Sequence, residues 1–241
     1  MTRCFRMPAG FRETLYLSQV QQAMAIRTAV DYWRSLRPRC MGILCWQLND
    51  VWPVSSWSSI EHDGTWKLLH HEARRFFDPC RLALRRFDGS LLWDRQAEAR
   101  LEPESATPLW SSPLVALPCK PAEAFLTARL DAADGGADIV RDASLFLTEP
   151  KRCSLADPRL ESRVEEGTES PVLVLAAAAA PAFYVALELE GFAGRFEDSG
   201  FHLQGGEERR LRWIPLLDAP EPGAAEMTAS LRILHLRASY R

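Results

Sequence analysis

No stretch of the chain approaches the roughly 18 consecutive apolar residues of a membrane-spanning helix, and Met1 to Glu13 lack the apolar core of a secretory signal. A soluble, cytoplasmic chain with no membrane partner is the expectation. A formal charge of -3 and scattered basic residues give no field for a polyanion, so no nucleic-acid partner is expected. Cys4, Cys40, Cys45, Cys80, Cys119 and Cys153 form no Cys-x-x-Cys pair, which removes zinc ribbons and thioredoxin-like redox centres. Reduced thiols are expected; Cys40 and Cys45, if on one strand, point to opposite faces and do not bridge. Adjacent His70 and His71 diverge on a helix, unlike the i, i+4 pair of a zinc helix. Ser55, Ser56, Ser58 and Ser59 lack the glycine-flanked elbow of a nucleophilic serine and read as loop hydrogen-bonders. Neither a metal nor a cofactor is expected.

What is present is apolar matter, 47% of the chain, enough for more than one core and too much for a disordered chain. Five of the eight tryptophans fall between residues 11 and 78, which sets that zone apart from the rest. Tyr16, Val20, Ala23, Ile26, Val30 and Trp33 recur at steps of three and four, the period of one buried helical face, and Pro38 ends the run. Residues 41–48 are nearly continuously apolar and too short for a typical helix, so they read as a strand buried on both faces of a parallel sheet. Trp66, Leu69, Ala73 and Phe76 repeat the helical spacing between an Asp63-Gly64 turn and Pro79. The zone therefore predicts an α-β-α piece of an α/β fold.

From residue 80 the period changes to two. Leu82 and Leu84 alternate with charged neighbours, and Asp88-Gly89 marks a tight hairpin. Strand-like runs follow around 124–130, 139–147, 172–175, 183–189, 209–214 and 229–236, with turn signals at Asp134-Gly135-Gly136, Gly191 and Gly205-Gly206. Ala176 to Ala180 read as a short connection because Pro181 follows. The pattern predicts two small all-β sandwiches of immunoglobulin-like size, with a boundary near Glu149-Pro150. The expected domains are 1–79, 80–149 and 150–241, the middle one shortened against the roughly 100 residues of an ordinary immunoglobulin-type domain.

In parallel barrels the residues just after a strand line the active site. Here these include Trp46, Asn49, Asp50 and Trp52, a mixture of aromatic faces and polar groups suited to a sugar, whose C–H face stacks on rings while its hydroxyls take hydrogen bonds. The same tryptophans suit core packing or loop anchoring equally well. Asp50 reads as a hydrogen-bonding group, Glu61 and Asp63 as loop carboxylates, and Glu72 as a solvent-facing structural residue.

Tyr16 to Ala23, Tyr32-Trp33-Arg34, Trp46-Gln47-Leu48-Asn49-Asp50, Trp52-Pro53-Val54, Ser56 to Ile60, Trp66-Lys67 and Ala73 to Phe77 together resemble the end of the catalytic barrel in β-mannosidases of glycoside hydrolase family 2. Gly194 to Asp198 and Phe201 to Glu207 resemble that family's appended β-sandwiches. The resemblance implies a (β/α)8, or TIM, barrel of which residues 13–36 are the seventh helix, 41–48 the eighth strand and 65–77 the last helix, with Trp46 flooring the sugar subsite. It implies hydrolysis of terminal β-D-mannose with retention by the whole enzyme. Trp46, Asn49, Asp50 and Trp52 would then bind a β-mannoside or manno-oligosaccharide. The two catalytic glutamates follow earlier barrel strands, so none of this chain's residues is expected to be catalytic; the partner is the N-terminal part of the barrel. The chain departs from the family pattern at Cys45, at Glu61-His62 and at His71, near the pocket rim. A non-catalytic carbohydrate-binding or structural module, or a degenerate gene product, is the alternative. An incomplete barrel further predicts an exposed apolar surface, self-association, and proteolysis of residues 1–79 before the rest.

Overall fold

The structure, a computed structural model, describes residues 1–40, 42–73, 81–95, 111–113, 116–130, 141–167, 170–216 and 219–240. Helix α1 (Phe11–Ser35) contains neither glycine nor proline, and Glu13 and Arg34 sit at the ends where they complement the helix dipole. It buries Tyr16, Val20, Ala23 and Val30, as the spacing predicts, and Leu17 besides, but Trp33 is 42% exposed. Val30 meets Leu69 of the short helix α2 (Leu68–Ala73), with Ile26, Ile43 and Ala73 around them. Trp66 precedes α2 and is paired by a bridge to Ile60 instead of lying on a helical face.

Residues 42–48 form no strand, against expectation. A strand buried on both faces needs neighbours to satisfy its amides and cover its side chains. Among the described residues only Ser59 and Ile60 bond to its end, at the Gln47 and Leu48 carbonyls, and Leu44 is fully exposed. The last helix of the proposed α-β-α piece is described only to Ala73; Phe76 and Pro79 lie outside the described residues.

The next four strands form one antiparallel sheet in the order β2-β1-β3-β4: β1 (Arg81–Arg86), β2 (Leu91–Arg95), β3 (Ala124–Leu130) and β4 (Arg141–Phe146). Asp88-Gly89 turns the chain between β1 and β2; Gly89 adopts φ +92 and the Asp88 carboxylate accepts from Ser90. Where two packed sheets were expected, the described residues of this region supply one. The turn signal at 134–136 lies outside them.

Residues 160–234 form two facing sheets. One has the order β5-β6-β10-β8, from β5 (Leu160–Glu165), β6 (Val172–Ala177), β10 (Glu208–Pro215) and β8 (Gly194–Phe196). The other has the order β11-β7-β9, from β11 (Leu231–Leu234), β7 (Ala182–Leu189) and β9 (Phe201–Leu203). Leu173, Leu175, Leu211, Trp213 and Phe196 meet Val185, Leu187, Phe201 and Leu203 between them, and Met227 of helix α3 (Ala224–Ser230) closes one end. On β10 the buried Leu211 and Trp213 alternate with Arg210 and Arg212, the period of a half-buried strand. Gly191 and Gly206 supply positive φ at two expected turns.

Strand β7 faces two cores. Ala182, Val185, Leu187 and Leu189 enter the sandwich, whereas Phe183, Tyr184 and Ala186 join α1 and the first sheet in a second core. A register shift between Ala182 and Val185, with Tyr184 at φ +53, puts two successive side chains on the same side. Phe183 then touches Phe87, Phe125 and Phe146 at ring-centroid distances of 5.7, 4.8 and 4.9 Å. Aromatic edges on faces make this a well-packed joint. The Tyr16 hydroxyl donates to the Tyr184 carbonyl at 2.7 Å, tying α1 to the same strand. The N-terminal residues Phe5, Tyr16, Leu17 and Val20 are thus part of a core shared with the first sheet and β7.

Candidate functional site

The segment 46–60 has little regular structure, yet it is fixed from within. Ile60 bridges Asn49 on one side and Trp66 on the other. The amide of Ile60 donates to Leu48 and that of Asp50 to Ile60, at 2.9 and 3.0 Å. These bonds leave a cage in which Asp50, 3% exposed, is the centre. Its carboxylate accepts from Ser56 Oγ and Ser58 Oγ, each at 2.6 Å, and from Lys67 Nζ at 3.0 Å. Lys67 Nζ also donates to Ser58 Oγ at 2.8 Å. The serine hydroxyls, then Lys67, hold the Asp50 carboxyl down to about 2. Asp50 is therefore ionised at any working pH.

The cage also meets the helices. Gln22 Nε2 of α1 donates to the Trp57 carbonyl at 2.8 Å, and Gln19 Oε1 accepts from the amide of Leu68 at 3.1 Å. Ser59 Oγ lies 3.0 Å from His70 Nδ1. Side chains on one face of α1 thus hold the loop at Trp57 and the entry to α2 at Leu68.

What this scaffold displays is aromatic. Trp46, Trp52 and Trp57 are 79, 67 and 63% exposed. Asn49 is exposed beside Asp50, whose carbonyl accepts from its amide nitrogen at 3.1 Å. The Trp46–Gln47 peptide is cis. Of the four residues expected to touch sugar, Trp46, Asn49 and Trp52 face solvent, while Asp50 turns inward and organises the loop. The core-packing alternative does not describe Trp46 or Trp52. The expected apolar surface is present here, with Leu48 and Val51 also exposed.

The remaining carboxylates are structural. Asp63 accepts from the amide of Thr65 in the turn that Gly64 completes at φ +89. Burial raises the Glu61 carboxyl above its ordinary value. Glu72, expected to face solvent, is buried and ion-paired with Arg27 of α1. No cluster of metal-ligating side chains occurs among the described residues.

Two residues escaped the sequence reading. Lys67 belongs to the Trp66-Lys67 resemblance but took no role from it, because a lysine in a helix entry ordinarily reads as solvated. Arg195, whose guanidinium lies 3.7 Å from the Trp66 ring centroid, falls in the Gly194 to Asp198 resemblance but took no role from it, since its partner is far away in sequence.

Residues 155–239 match an Ig-fold domain family of mannosidases, and residues 78–151 match the mannosidase Ig/CBM-like domain family. Goat (Capra hircus) β-mannosidase is 49% identical over 76 residues, 29% of this chain and 9% of that protein. β-Mannosidase A of Aspergillus terreus is 26% identical over 252 aligned residues, covering 86% of this chain and 27% of that one. The chain spans less than a third of either relative. The crystal structure of a β-D-mannosidase from Dictyoglomus thermophilum superposes with a TM-score of 0.77 at 20% identity, over 96% of this chain and 31% of the other. An exo-chitosanase from Amycolatopsis orientalis gives 0.60 at 13% identity, over 92% and 33%. These two likenesses concern the fold. Family matches, relatives and fold agree: the chain belongs with the β-mannosidases, as a C-terminal part of such a protein that carries its immunoglobulin-like domains.

Proposed function

We propose that residues 1–79 are the last α-β-α portion of a (β/α)8 catalytic barrel of glycoside hydrolase family 2, and that 80–149 and 150–241 are its appended immunoglobulin-like domains. The whole enzyme hydrolyses terminal non-reducing β-D-mannose residues with retention. This chain supplies part of the sugar subsite through Trp46, Asn49 and Trp52, with Asp50 holding them, and supplies neither catalytic glutamate. The N-terminal part of the barrel is its polypeptide partner, and a β-mannoside or manno-oligosaccharide is the substrate.

The observation that carries this reading is the buried Asp50 cage beneath the exposed Trp46 and Trp52. Rings mounted on a fixed backbone lose little entropy when a pyranose stacks on them. Retention needs two carboxyl groups about 5–5.5 Å apart, one of them a proton donor. Asp50, held at about 2, cannot donate a proton near neutrality. The same commitment of Asp50 favours a second reading, a carbohydrate-binding module without catalysis.

The test is reconstitution. The purified chain alone gives no turnover of an aryl β-mannoside, and mixing it with a polypeptide carrying the first seven barrel strands of a β-mannosidase restores it. In that complex Trp46→Ala lowers kcat/KM by roughly tenfold or more beyond Trp93→Ala, the loss expected when a stacking platform is removed. Turnover by the repurified chain alone, or equal losses in the two variants, overturns the proposal. Tryptophan fluorescence that responds to manno-oligosaccharide in a mixture that never becomes active supports the binding module.

A further inference from the structure

Gly194 to Asp198, the sandwich segment singled out by sequence, packs against the segment that carries Lys67. A Cβ at Gly194 would lie 2.5 Å from the Trp213 ring and 2.7 Å from the Ile214 carbonyl, so only glycine lets β8 lie this close to β10. The next residue, Arg195, lays its guanidinium 3.7 Å from the Trp66 ring centroid. Gly200, at φ +68, makes a second close approach: a Cβ there would come within 3.1 Å of Leu68. Between these contacts the buried His71 lies 3.7 Å from Asp198, whose other oxygen accepts from Arg209 at 2.8 Å. Residues 66–71 are therefore gripped along their length by the C-terminal sandwich.

Lys67 sits inside that grip and points the other way, into the Asp50 cage. Its amide donates to the Ser59 carbonyl at 3.0 Å, so both its backbone and its ammonium group fix the loop. We propose that Arg195 is a positioning residue for the sugar-facing loop: by stacking on Trp66 it holds Lys67, and through Lys67 and Asp50 it holds the backbone that displays Trp46 and Trp52. The sandwich is then a working part of the site although it touches no sugar. The importance of the loop for sugar rests on the function proposed above; the mechanical coupling does not.

The experiment separates the two. Amide exchange is followed by mass spectrometry on the full chain, unmodified and as Arg195→Ala, Arg195→Lys, Trp66→Phe and Arg163→Ala. A stacked cation and ring partly shielded from water stabilise enough that its loss speeds local opening about tenfold. Arg195→Ala therefore speeds exchange of the Asp50 and Ile60 amides about tenfold while peptides from β6, β7 and β10 keep their rates. Arg195→Lys and Trp66→Phe, which keep a cation and a ring, recover part of the protection. Arg163→Ala, in an exposed ion pair on the same sandwich, changes nothing in the loop. Unchanged loop exchange in Arg195→Ala, or faster exchange spread equally through the sandwich strands, overturns the coupling. Titration with manno-oligosaccharide then addresses the other reading: weaker binding by Arg195→Ala supports both, whereas loosened exchange with no binding by the unmodified chain leaves the coupling intact and removes the sugar.

Discussion

Lys67 Nζ lies 3.0 Å from Asp50 Oδ2, with both side chains buried and two serine hydroxyls and the Gln47 side-chain amide also donating to the carboxylate. A buried ion pair alone is weak evidence for stability, because desolvating two charges offsets much of their attraction. Here it marks a fixed point from which two exposed tryptophans are hung.

The Asp50 carboxyl is held at about 2, whereas in an unfolded chain it titrates near 3.9. The folded state gains from this group above roughly pH 4 and loses that gain as pH falls through about 2. Carboxylate NMR of the folded chain should report the low value. Ser56→Ala combined with Ser58→Ala should move it up toward 3.8, since those hydroxyls are its largest cause. An unmoved titration would show that Lys67 alone holds it.

Proteolysis should begin in the loop rather than in the N-terminal helix. Chymotrypsin should cut first after Leu44, Trp46 or Trp57, all exposed, while α1 stays bound through Tyr16, Leu17 and Val20. The same exposed surface should bind a hydrophobic dye and favour self-association. A first cut inside residues 11–30 would contradict the packing of α1.

Phe183 is the joint between the first sheet and the sandwich. Phe183→Ala should cost about 3–5 kcal/mol in urea unfolding, the range for emptying a buried aromatic site. Tyr16→Phe should cost about 1–2 kcal/mol, because it leaves the buried Tyr184 carbonyl without its donor. A loss of only a few tenths in Phe183→Ala would mean that the two domains do not share this core.

His235 lies just beyond β11, not within a strand, and burial lowers its imidazole to about 4, with Arg237 adding to this and Asp157 opposing it. In the unfolded chain it titrates near 6.5. Between those values the unfolded state binds the proton and the folded state does not, so stability falls as pH drops from about 6.5 toward 4. The fall should be on the order of 2 kcal/mol, and His235→Gln should flatten it. Urea midpoints at pH 7 and pH 4.5 measure both.

Sequence alone determined the elements whose signal is local. The three- and four-residue spacing of Tyr16, Val20, Ala23 and Val30 is the buried face of α1 because helical geometry puts those positions on one side. Asp88-Gly89 is a hairpin because glycine takes positive φ without strain, and residues 124–130 form β3 as their pattern says. Strand β5 left little trace, since Glu161, Arg163 and Glu165 read as surface, and Arg163 and Glu165 reach Glu208 and Arg210 of β10 only across the intervening β6. Residues 224–230 read partly as strand and fold as a helix whose Glu226 carboxylate accepts from the Gly223 amide, a single cap that hydrophobic pattern does not encode.

Tertiary structure decided the rest, above all where apolar sequence ended up exposed. Ile43, Leu44, Trp46 and Leu48 have the composition of a buried strand, but burial depends on neighbours, and among the described residues only Ile43 of the four packs against a core. The cage around Asp50 brings Lys67 to a carboxylate 17 positions away, and the grip of Arg195 on Trp66 joins residues far apart in the chain. No local pattern specifies such contacts; the first needs the loop folded back through Ile60, and the second needs the sandwich packed beside Trp66 and Leu68.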